Sequence, residues 1–110
     1  MQIFARRHDK TTILDLSGNI DFRNSPEVRQ SVLREIRENR TSRVLVNLSQ
    51  VRYIDSSGIA SLVEGLRASR DLGSRLILFG LSTPVQEVLH LFHLNQLFEV
   101  YESEAQALSS

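Results

Sequence analysis

The segment from Arg43 to Gly80 constrains this chain more than any other. RVLVNL (43–48) and RLILFG (75–80) are compact apolar runs rich in branched residues, and between them Ile59, Leu62, Val63 and Leu66 fall at i, i+3, i+4 and i+7 before an LGS stop at 72–74. Short continuous apolar runs read as strands covered on both faces, and the intervening period reads as one helix face. Strand, helix and strand at this length make a βαβ unit, which requires parallel strands and a right-handed crossover.

The rest of the chain is fitted around that unit. QIFARR (2–7) and TTILDLS (11–17) read as strands joined by a polar HDK connection of hairpin length. After the turn signal SGN and IDFRNSP, Pro26 and Glu27 suit a first helical turn, and Val28, Val32 and Ile36 repeat at helical spacing, so a helix is expected from Ser25 to near Asn39. A third helix follows Ser82-Thr83-Pro84, with Val85, Val88, Leu89 and Phe92 on one stripe. LFEVY (97–101) is a last strand, and SEAQALSS reads as a frayed helix with Ala105 and Leu108 inward. The expected architecture is α/β: a small mixed sheet of four to five strands, opened by an antiparallel hairpin, with helices packed on it. At 110 residues, a single domain over 1–110 is expected.

Composition narrows the function classes. Thirteen basic residues are dispersed among thirteen acids for a formal charge of zero, so no footprint for nucleic acid or anionic lipid appears. The absence of cysteine excludes disulfides and thiolate chemistry and suits a reducing compartment. MQIFARRHDK is not built like a signal peptide, and no apolar run approaches the roughly 20 residues that span a bilayer, so a cytoplasmic protein without membrane insertion is expected. Neither GxxxxGK[ST] nor GxGxxG is present, and no cofactor is implied.

The chemistry concentrates in RYIDSSGIASL (52–62), where an acid, two serines and a glycine stand directly before a helical pattern on a loop leaving a strand. Loops beyond the carboxyl ends of parallel strands collect functional groups. One reading is a helix cap supplied by Asp55, Ser56 or Ser57, with Gly58 relieving crowding in the first turn. A cap accounts for one residue of the four. The sharper reading is a modification site, with one hydroxyl capping while its neighbour stays free, because a helix N-terminus can hold a phosphate of nearly two negative charges. A hydrolase nucleophile would need G-x-S-x-G and a placed base; the turn reads Y-I-D-S-S-G, and His8, His90 and His93 stand at no identifying spacing. His90 and His93 share i, i+3 spacing, with Glu87 a turn earlier, but no fourth ligand is evident and no metal is expected.

LVNLSQVRYIDSSGIASLVEGLRASRDLGSRLILFGLS, followed by LFHLNQLFEVYESEAQAL, resembles the STAS domain, and within that family a single-domain anti-sigma factor antagonist; GNIDF matches the family's G-x-[LI]-D element. The resemblance implies a binding switch, not an enzyme. Ser56 would be the residue phosphorylated by a partner anti-sigma factor with a serine kinase domain. The unmodified form binds that partner and frees the sigma factor, and a serine phosphatase resets the modified form. Asp21 and Asp55 match acidic positions near that serine and Ser57 the neighbouring hydroxyl. Gly58 completes the motif, while Phe22, Tyr53 and Ile59 are contact candidates with a core role equally open. The alternative within the family is a non-switching STAS subunit of a membrane transporter or a larger signalling assembly. The chain departs from the family at Asn47-Leu48-Ser49, where Asp-Leu-Ser is usual; an amide there can still hold a turn hydrogen bond.

Overall fold

The computed structural model describes all 110 residues. Five strands form one sheet in the order β1-β2-β3-β4-β5: β1 (Gln2–His8), β2 (Thr11–Ser17), β3 (Arg43–Gln50), β4 (Arg75–Phe79) and β5 (Glu99–Tyr101). β1 pairs antiparallel with β2, and every later pairing is parallel. The expected hairpin and βαβ unit are both present. The hairpin turns through Asp9 and Lys10 with Asp9 at φ 54, and His8 is the last residue of β1 rather than part of the turn.

The helices are α1 (Ser25–Leu33), α2 (Ser56–Asp71), α3 (Thr83–Leu91) and α4 (Glu104–Ser109). The first runs on through a π-helical turn, Arg34–Glu38, that ends near the expected Asn39. The alternating strand residues explain why the central strands read as continuous apolar runs. Leu14, Leu16, Val44, Val46, Leu48, Leu76 and Leu78 face one side with Val28, Val32, Leu62, Leu66, Val85 and Leu89 of the first three helices, forming the main core. Ile13, Leu45, Ile77 and Phe79 face the other side, where Ala107 of α4 packs on them. Such two-sided cover removes the polar half of the alternation that a solvated strand would show.

Three expectations of facing fail. On α4 the inward residue is Ala107, fully buried, while Ala105 is exposed and Leu108 is 40% exposed. The helix is also not frayed, because Ser103 and Gln106 form a reciprocal capping box. On α3, Phe92 lies beyond the last turn and is 45% exposed. The chain there leaves the helix through His93 at φ 59, with Leu94 N–H bonded to Leu89 C=O at 2.8 Å, a left-handed exit usually taken by glycine.

α1 and α2 lie side by side with their N-termini at the same end: Ser61 Oγ donates to Ser25 C=O at 3.0 Å, and Val32 packs where a Cβ on Gly65 would come within 2.7 Å of its Cγ1. A glycine at 65 is what allows this approach. No helix is long and apolar enough to cross a membrane.

Candidate functional site at the α2 N-terminus

β2 and β3 continue past a register shift near Asp15–Ser17 into an isolated parallel bridge between Ile20 and Ile54. Ile20 N–H donates to Tyr53 C=O at 2.9 Å and Asp55 N–H to Ile20 C=O at 3.0 Å. Two loops far apart in sequence, 18–24 and 51–55, are thereby bonded together at the point where α2 begins. Both isoleucines are buried, so their side chains anchor the bridge while the residues beside them face solvent.

Asp55 is the cap. Its Oδ1 accepts from Gly58 N–H at 3.1 Å and its Oδ2 from Phe22 N–H at 3.1 Å, so one carboxylate closes the first turn of α2 and holds the neighbouring loop. This corrects the division of labour expected of the two serines: neither hydroxyl caps the helix. Ser56 is the first residue of α2 and is exposed; Ser57 is half-buried, and its carbonyl accepts from Ser61 Oγ at 3.1 Å. With the cap supplied by an acid, the Ser56 hydroxyl is left facing solvent beside free N–H groups of the first turn.

Gly58 is buried, and a Cβ there would lie 2.6 Å from both Ile20 Cγ2 and Ile54 Cγ1. The glycine is therefore required by the bridge that builds the site. Of the two roles left open for Ile59 the structure gives the core one: it is 5% exposed, because at that position on α2 the side chain points toward the sheet. Phe22 and Tyr53, 71% and 51% exposed, stand on the two bonded loops instead.

Asp21 is paired within its own loop. Its Oδ2 is 2.9 Å from Arg23 Nη2 and its Oδ1 accepts from Arg23 N–H at 3.0 Å, and this pairing holds its pKa below the usual carboxylate range. Asn24 completes the loop, accepting from Asp21 N–H at 2.9 Å and donating to Asn19 C=O. Arg23 and Asn24 were not anticipated; the only sequence signal was an Asn directly before Ser-Pro at a helix start, where Asn favours local turns.

Asn47 lies on the opposite face of the sheet. Its amide donates to Asp15 Oδ1 at 2.8 Å, and its carbonyl oxygen accepts from Ser49 N–H at 3.0 Å and Ser49 Oγ at 2.8 Å. The expected turn hydrogen bond is kept. An aspartate here would set a second carboxylate against Asp15.

The remaining candidates do not assemble into chemistry. His8 ends the hairpin strand, His90 is exposed on the last turn of α3 and His93 lies past it. No group of three His, Cys, Asp or Glu residues is placed to hold a metal. A groove lies between α3 and β5, lined by residues that include Leu81, Leu89, Val100 and Glu102; Ser56 is not part of it.

The STAS domain pattern matches residues 2–107. The chain belongs to the STAS domain family. Among similar proteins, the anti-sigma F factor antagonist of Paenibacillus polymyxa is 24% identical over 109 residues, covering 99% of this chain and 93% of that one. A crystal structure of a Thermotoga maritima protein regarded as an anti-sigma factor antagonist superimposes with a TM-score of 0.90 at 21% identity, covering 97% and 92% of the two chains. The anti-sigma factor antagonist SpoIIAA, whose structure is known unphosphorylated and, from Bacillus, phosphorylated, superimposes with TM-scores of 0.77 and 0.76 at 18% identity; 98% of this chain is covered in both cases, and 96% and 97% of the respective SpoIIAA chains. The five-stranded STAS sheet and its bonded loops thus carry the serine described above.

Proposed function

We propose that this STAS domain is a cytoplasmic anti-sigma factor antagonist, a binding protein rather than an enzyme, switched by phosphate on Ser56. The unmodified domain binds an anti-sigma factor that carries a serine kinase domain and so releases the sigma factor. Phosphorylation by that partner ends the binding, and a separate serine phosphatase restores it. The names of the relatives support the antagonist role, and the occurrence of SpoIIAA in two phosphorylation states supports the switch.

The observation that carries the reading is that Asp55, not a serine, caps α2. Ser56 is therefore exposed and free of structural duty, so a phosphate can be added without dismantling the turn. The dianion would sit at the N-terminal end of the 16-residue α2, where the helix dipole favours negative charge. A partner docked over Phe22 and Tyr53 would have to desolvate that phosphate next to Asp55. A loss of even a few kcal/mol at such an interface lowers affinity about a hundredfold or more. Since Asp21 is paired with Arg23, desolvation and the Asp55 charge account for this loss more than Asp21 does.

The test is incubation with ATP and the cognate anti-sigma kinase, followed by mass spectrometry and binding measurements. One phosphate at Ser56, absent in Ser56→Ala, and at least tenfold weaker binding by Ser56→Asp are expected. Modification at another residue, or equal binding by wild type and Ser56→Asp, would overturn the switch.

A further inference from the structure

The two edges of the sheet differ. β5 is blunted by its length of three residues, whereas β1 presents seven. Free edges are commonly protected from pairing with another chain by proline, a bulge or charged side chains, lysine above all. β1 contains no proline, and its register against β2 runs unbroken from Gln2 opposite Ser17 to His8 opposite Thr11. Its two arginines are already engaged: Arg6 lies 2.6 Å from both Asp15 and Glu104, and Arg7 lies 2.6 Å from Glu35. Phe4 stands 67% exposed among them.

We propose that β1 is an interface between two copies of this chain, pairing antiparallel edge to edge about Ala5. A two-residue hairpin turn closes on a hydrogen-bonded pair, here His8 with Thr11. By the alternation of an antiparallel ladder, Gln2, Phe4, Arg6 and His8 direct their backbone groups at β2, while Ile3, Ala5 and Arg7 direct theirs outward. A register centred on Ala5 matches these outward groups to one another: Ala5 faces its symmetry mate and Ile3 faces Arg7 across the axis, with about six hydrogen bonds in all.

Side chains agree with that register. Phe4 falls opposite Arg6 of the other copy in a non-hydrogen-bonded pair, the closer-spaced kind, where a guanidinium on an aromatic face is favourable. No like charges stand directly opposite. Centring on Arg7 would set two guanidinium groups face to face, and centring on Ile3 would shorten the overlap. A contact this small lies at the low end of specific interfaces, so the dimer is reversible and concentration-dependent. The inference does not depend on the reading of Ser56, which lies on another part of the surface.

Sedimentation equilibrium of the full chain tests it. The expected result is a mass rising toward twice that of one chain with concentration, lost in Ala5→Pro and in Phe4→Lys at unchanged far-ultraviolet circular dichroism. The Ala5 N–H points outward, so proline there spares the β1–β2 ladder. As a second measurement, Ala5→Cys in this cysteine-free chain places two thiols about 5.5 Å apart by Cα, within disulfide reach. It should crosslink under mild oxidation at least tenfold faster than Ala105→Cys on exposed α4. A wild type that stays at single-chain mass to millimolar concentration, a dimer that survives both edge variants, or equal crosslinking by the two cysteines would each overturn the proposal.

Discussion

Asp55 and Gly58 together explain why the motif has an acid three residues before a glycine. The carboxylate reaches one N–H of its own helix and one of the adjoining loop, and the missing side chain lets Ile20 and Ile54 meet beneath the turn. Asp55→Ala should therefore lower stability by about 1–2 kcal/mol in urea denaturation, the upper part of the range for a lost cap. Gly58→Ala should cost about 1–3 kcal/mol, since a methyl group 2.6 Å from two buried side chains forces repacking. The sequence disclosed that a cap and a tight first turn lay here. It did not disclose which of three polar side chains did the capping, because all three types accept the same bond and only the path of the 18–24 loop selects the aspartate.

At the scale of elements, the polar chain across the sheet accounts for the departure at Asn47. Asp15 is shared between Arg6 and the Asn47 amide; although burial opposes its charge, these two hydrogen bonds prevail and hold its pKa below the usual range. Arg6 in turn reaches Glu104, tying α4 to the hairpin. In Asn47→Asp a second carboxylate would face Asp15, and one of the pair would take a raised pKa in the folded state. Such a group destabilises while ionised and ceases to when protonated. The variant should be about 1–2 kcal/mol less stable at pH 7, with the deficit shrinking in thermal melts as pH falls toward 4. The same element level shows where periodicity misled. Phe92 continues the helical stripe in sequence, but α3 ends at Leu91, and a left-handed His93 turns the chain before that stripe can be used.

For the molecule as a whole, the layers are unequal: three helices cover one face and six-residue α4 covers part of the other. Leu45 on that thinner side is nonetheless fully buried. Leu45→Ala should cost about 2–5 kcal/mol, a large share of the 5–15 kcal/mol typical of a domain. Glu35 joins distant parts of the fold from the π-helical turn. It is only 2% exposed and accepts from Arg7, Thr12 and Asn39. Burial works against its charge, yet these partners outweigh burial and lower its pKa. A lowered folded pKa means the contribution is complete above the ordinary glutamate value and is lost as pH falls through the folded one. Stability should drop below about pH 4, and Glu35→Gln should flatten that acid slope while lowering stability at neutral pH by roughly 1–3 kcal/mol.

The order of elements, the parallel βαβ core and the serine-bearing turn were determined by the sequence alone, because hydrophobic period and turn chemistry are local and repeat within a few residues. Tertiary structure decided what depends on separate segments meeting. It placed Phe22 against Asp55 and joined Ile20 to Ile54. It also sent Ile59 inward and left β1 as the long open edge. Those outcomes turn on which strand neighbours which and on distances of a few ångströms across loops, and a one-dimensional pattern carries no term for either.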